Sequence, residues 1–198
     1  MPPDLFLALT LFAVVMSFTP GPNNILLTAS GVNFGFVRSI PHMLGVEIGF
    51  LVLLLACAAG LGLIFVALPS LHIALKIAGG VYMLWLAWKV ANAKPAGEEG
   101  GLLARPMTFL QAAAFQWMNP KAVIAALSAI ALYMRPRHEI FDLMVMLVVF
   151  GVSTILAVAT WAGFGVALRR YLRDPAHARV FNVAMGVLLV VSIAPMVA

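Results

Sequence analysis

Phe18-Thr19-Pro20-Gly21-Pro22-Asn23-Asn24 lies in the middle of an apolar run from Leu5 to Val32. That run is long enough to cross a membrane as one helix, which takes roughly 20 apolar residues. Pro20 and Pro22 each remove a backbone donor and clash with the turn before them, and Gly21 adds backbone freedom between them. The stretch therefore predicts an interrupted helix. Irregular backbone at membrane depth is tolerated only where protein or a watery cavity satisfies its polar groups. The break should face the inside of a bundle, and transporters build their binding sites from such discontinuous helices.

The rest of the composition agrees with a membrane setting. Of 198 residues, 64% are hydrophobic and 10% charged, and the mean hydropathy is +1.07. Soluble domains carry about 25% charged residues, so this is an integral membrane protein with little soluble part. The first charge is Asp4, and no Lys or Arg precedes the apolar run, which argues against a cleaved signal peptide. The net charge of +5 would suggest a nucleic-acid partner in a soluble protein. Here the basic residues sit at the ends of apolar runs, so membrane topology accounts for them and no nucleic acid is expected. The single cysteine, Cys57, excludes an internal disulfide or a CxxC redox pair.

Apolar runs at Leu5–Val32, Ile40–Leu68, Ser70–Ala91, Met107–Met134, Ile140–Leu168 and Ala176–Val197 predict an all-α protein of six transmembrane helices. The polar, glycine-rich stretch around Lys94-Pro95-Ala96-Gly97-Glu98-Glu99-Gly100-Gly101 reads as a linker over 92–105. It separates a first three-helix repeat (1–91) from a second (106–198). Asn119-Pro120-Lys121 interrupts the fourth run as Pro20-Gly21-Pro22 interrupts the first, and aligning Pro22 with Pro120 also aligns Ser30 with Ser128. Three spans per half is an odd number, so the halves cross in opposite senses: an inverted repeat. Arg38, Lys89, Lys94, Arg105, Arg169, Arg170, Arg173 and Arg179 fall on one side, and Lys76, Arg135 and Arg137 on the other. The richer side should be cytoplasmic, which puts both termini outside the cytoplasm.

Asn23, Asn24 and Asn119 fall at the starts of the second half-helices. Asn is a good N-cap and Pro suits the first helical turn. Helix N-termini present free N–H groups and partial positive charge, a seat for a carboxylate. Glu47 is the acidic residue deep in an apolar span, and Lys121 is its basic counterpart. Burying either is costly unless it is paired or neutral. Two readings stay open: a buried Glu47–Lys121 ion pair that fixes packing, or Glu47 carrying a coupling proton while Lys121 attracts a carboxylate. Gly45 and Gly49 form a GxxxG pattern, which places close packing on one face of the second helix and Glu47 on another. Gly79, Gly80, Gly163 and Gly165 read as close-packing positions, and Trp161 as packing. The four histidines are scattered over span ends without metal-ligand spacing. No nucleophile–base pair, phosphate loop or cofactor motif is present, so no enzyme activity, metal or cofactor is expected.

Thr19-Pro20-Gly21-Pro22-Asn23-Asn24 resembles the signature of the LysE/RhtB superfamily of amino-acid exporters. Asn119-Pro120-Lys121 and the run Lys76-Ile77-Ala78-Gly79-Gly80-Val81-Tyr82-Met83-Leu84-Trp85-Leu86-Ala87-Trp88-Lys89 are similar to that superfamily as well. Thr19 to Ile25 and Leu86-Ala87-Trp88-Lys89 look most like the cysteine/O-acetylserine type. The resemblance implies export of a neutral or basic amino acid driven by the proton gradient, in a bacterial inner membrane, by a homo-oligomer.

The combined expectation is a secondary active exporter whose substrate site comprises Thr19, Gly21, Asn23, Asn24, Asn119 and Lys121. Glu47 couples the proton, and the substrate ammonium lies near Glu47 and the carbonyls freed around Thr19. The alternative is an ion channel or a carrier of small ions or metabolites with the same fold.

Overall fold

The computed structural model describes residues 1–61, 69–92 and 105–191. Most of the 92–105 linker and the ends of the second and sixth apolar runs lie outside the described residues. Within them the chain forms eight α-helices and no strand. They are α1 (Pro3–Phe18), α2 (Pro22–Phe34), α3 (Phe36–Ala56), α4 (Pro69–Ala91), α5 (Phe109–Met118), α6 (Pro120–Tyr133), α7 (Glu139–Leu168) and α8 (Pro175–Val191).

The expected interruptions are present. Thr19 precedes a proline, which disfavours the helical region, and it is extended at φ −62°, ψ 143°. α1 stops there, and α2 restarts at Pro22 at an angle of 51° to it. α5 stops at Asn119, also extended, and α6 restarts at Pro120. One further break was not expected. α3 runs into a π-type turn over Cys57–Leu61, where Gly60 takes φ 103°, a value that glycine alone adopts without strain.

Two helices, Phe36–Gly60 and Glu139–Leu168, are each long and apolar enough to cross a membrane, and the bent pair α1–α2 gives a third such span. Large apolar side chains such as Val148, Val152 and Leu156 on α7 point outward, as a lipid-facing surface allows.

α2 is enclosed: every residue from Pro22 to Val32 is buried. It crosses α7 where Gly31 faces the Ala162 carbonyl and Gly165 faces the Thr28 carbonyl. Each glycine lets the other helix's backbone close in, as small residues do in membrane bundles. α3 closes on α5 in the same way: Gly45 meets Phe109 and Ala112, and Gly49 meets Ala113. α4 lies on α8 through Gly186, and Gly79 of α4 faces the Met118 carbonyl. Gly80 and Gly163, expected at close contacts, face open space instead. Principal pairings outside α4 and α8 thus join the two halves: α1 and α2 with α7, α3 with α5 and α7.

Candidate functional site

The two interruptions meet at one cavity of about 60 Å³. Since a water needs roughly 10–15 Å³ on this measure, the space suits several waters. One wall is polar, formed by Gly21, Asn23, Asn24, Gln116, Asn119 and Lys121; Phe50, Phe150, Ala122, Ala125, Ala157 and Val158 form much of the rest. Five of the expected substrate residues therefore line a common space. Thr19 stands beside it and takes part through its backbone.

A helix end leaves its last carbonyls without partners, and at the end of α1 side chains fill that need. Asn24 Nδ2 donates to the carbonyls of Ser17 at 2.8 Å and Thr19 at 2.9 Å. Lys121 Nζ, reaching over from α6, donates to the Thr19 carbonyl at 2.5 Å. Trp161 Nε1 of α7 donates to the Phe18 carbonyl at 3.3 Å, so Trp161 does more than pack. The carbonyls around Thr19 were expected to be free for a substrate ammonium; they are already satisfied by protein donors.

The helix starts differ from each other. Asn119 is a true N-cap of α6, its Oδ1 accepting from the Lys121 N–H at 3.1 Å. Asn23 and Asn24 are instead inside the first turn of α2, whose N-cap is Gly21 and which has no side-chain cap. The first N–H groups of α2 are left to whatever the cavity holds. Gly21 itself is buried under the Lys121 stem: a Cβ there would lie 2.8 Å from Lys121 Cδ.

Glu47 is buried, but it is not among the residues lining the cavity. Its Oε1 lies 3.4 Å from where a Cβ on Gly151 of α7 would stand, and its Oε2 has no hydrogen-bond partner. No ion pair joins it to Lys121. Contacts between basic and acidic side chains among the described residues are the Arg135–Asp142 ion pair, at the α6–α7 turn, and the approach of His177 to Asp174 at 3.9 Å. In the former, the Arg135 guanidinium donates twice to the buried Asp142 carboxylate at 2.8 Å, which holds Arg135 firmly in its charged form.

Gln116 was not singled out from the sequence. It is fully buried at the end of α5, accepts from Asn23 Nδ2 at 2.9 Å and donates to the Ala112 carbonyl at 3.1 Å. A glutamine inside an apolar helix is a signal in itself, and it stands just ahead of Asn119-Pro120-Lys121, but its partner is 93 positions away.

Interrupted apolar helices enclosing a hollow with one polar wall define a polytopic membrane protein of the carrier type. The LysE type translocator model matches residues 14–194, and the chain belongs to that family. The cysteine/O-acetylserine efflux proteins of Escherichia coli (strain K12), Escherichia coli O9:H4 (strain HS) and Shigella sonnei (strain Ss046) are each 32% identical to it over 197 residues, covering 96% of either chain. No solved structure matches.

Proposed function

We propose that this protein is a secondary active exporter of amino acids, carrying small neutral ones such as cysteine or O-acetylserine out of the cytoplasm in exchange for protons. The observation that carries this reading is the shared cavity: two helix breaks, one from each half of the sequence, contribute their starts to one hollow. The substrate carboxylate sits against the open N–H groups of α2, next to Lys121 and within reach of Asn24 and Asn119. Charge-assisted bonds of this kind are the strong ones. The apolar wall of Phe50, Phe150 and alanines suits a short uncharged side chain, and the efflux proteins of similar sequence are named for such cargo.

Glu47 is the proton site in this reading. A buried carboxyl with an unpartnered oxygen is most stable when neutral, and a change in its protonation would be felt across its contact with α7. The halves act as inverted repeats: the pairing of α1 with α7 becomes that of α5 with α3 when the halves are exchanged. Rocking of one repeat on the other gives alternating access. From the Lys and Arg distribution we place both termini outside the cytoplasm, in a bacterial inner membrane, with a homo-oligomer as the working unit.

The test is counterflow in proteoliposomes with a panel of labelled amino acids at two pH values. Saturable counterflow that a pH gradient drives uphill is the expected result. Non-saturating ion flux without amino-acid counterflow would establish the channel alternative instead.

A further inference from the structure

Asn23 Oδ1 is buried and has no hydrogen-bond partner, although Asn23 itself is one of the residues lining the cavity. An amide oxygen left alone in the interior is destabilising. Such an atom needs a physical reason, and a ligand that bonds to it is one.

Its orientation is fixed by a relay rather than by chance. The Ala112 carbonyl can only accept, so the Gln116 group facing it at 3.1 Å must be Nε2. Gln116 Oε1 is then the group that faces Asn23, and it can only accept. The Asn23 group 2.9 Å from it must be Nδ2. What remains is Oδ1, an acceptor that cannot be turned into a donor without breaking the buried hydrogen bond to Gln116 or, if Gln116 turns with it, the one to Ala112. Gln116 is further held by α3, since Gly49 leaves just enough room for its Cγ.

Among the described residues, no aspartate or glutamate lines the cavity. Glu47 turns toward Gly151, and the Ser17, Phe18 and Thr19 carbonyls already have donors. A zwitterionic cargo still needs an acceptor for its ammonium. A thiol is a weak donor and a carboxylate is none, whereas an ammonium offers strong donors to a neutral amide oxygen.

We infer that Asn23 Oδ1 is the acceptor for the cargo's α-ammonium, and that Gln116 is the positioning residue that presents it. This rests on the amino-acid export reading above and replaces Glu47 as the ammonium partner, leaving Glu47 to the proton.

The experiment is counterflow in proteoliposomes, using L-cysteine kept reduced and L-serine as cargo. The competitors are the same acids without the amino group, 3-mercaptopropionate and 3-hydroxypropionate. The wild type should prefer the amino acid. Asn23→Ala should raise the half-saturating concentration of the amino acid roughly tenfold or more while leaving competition by the deamino acid nearly unchanged, so the preference collapses. Gln116→Leu should lower the same preference by a smaller factor, because Asn23 is then free to rotate. Asn119→Ala, on the carboxylate side, should weaken both ligands alike. Asn23→Ser reads the same ratio should Asn23→Ala not fold. Wild-type transport combined with an unchanged preference in the Asn23 variants overturns this inference alone. Absence of counterflow for every amino acid in the wild type removes the export reading and this inference with it.

Discussion

Lys121 Nζ donates to the backbone carbonyl of Thr19, 102 positions earlier in the chain, at 2.5 Å. A cation at the start of α6 thereby caps the broken end of α1, and the two interruptions become one structure. Lys121 is also the charged residue among those lining the cavity. It can release the Thr19 carbonyl for a carboxylate without leaving that carbonyl unpaired, because Asn24 still donates to it.

Replacing Lys121 with Met keeps the stem's volume and removes the charge. Amino-acid counterflow should fall at least roughly tenfold, as expected for the loss of a charge-assisted contact, with the thermal melt in detergent little changed. Near-normal transport by Lys121→Met would remove the lysine from the proposed site.

Two kinds of glycine substitution should separate transport from stability. A methyl at Gly21 meets the flexible Lys121 stem, so Gly21→Ala should fold and lose transport several-fold by displacing that side chain. A methyl at Gly31 or Gly165 meets the carbonyl of Ala162 or Thr28 on the facing helix, and neither backbone can step aside. Gly31→Ala and Gly165→Ala should each destabilise by about 1–3 kcal/mol, read as an earlier melt. Equal melts for all three variants would contradict the close crossing of α2 and α7.

Asn119→Ala removes the α6 cap at Lys121 N–H. A loss of about 1 kcal/mol is expected, measurable as a lower melting temperature, along with weaker amino-acid binding. Asn119→Ser should recover the stability, since serine caps as well.

Glu47→Gln keeps the shape of a neutral carboxyl and cannot release a proton. Wild-type export should accelerate as the outer compartment is acidified. In the variant that acceleration should be lost while counterflow between equal pH compartments survives. Full pH-driven uphill transport by Glu47→Gln would exclude the residue as the proton carrier.

The interruptions were legible because proline acts locally: Pro20, Pro22 and Pro120 remove donors wherever they occur. The Asn119 cap was legible for the same reason. Helix periodicity also placed Glu47 away from Gly45 and Gly49. It gives angles about one helix axis, however, and does not say which neighbour occupies each direction. Glu47 thus faces Gly151 of α7 rather than the cavity, and nothing near it in sequence marks that. Gln116 shows the same limit, its meaning depending on an asparagine in the other half. The turn at Gly60 escaped notice because an isolated glycine is tolerated within a helix.

The enclosure of α2 has a consequence for biogenesis. A segment with Asn23, Asn24, Thr28 and Ser30 all buried is shielded from lipid largely by α7, which leaves the ribosome more than a hundred residues later. Until then α2 must wait in the insertion machinery or at the bilayer surface, so the N-terminal half synthesised alone should be a substrate for membrane proteases rather than a stable domain.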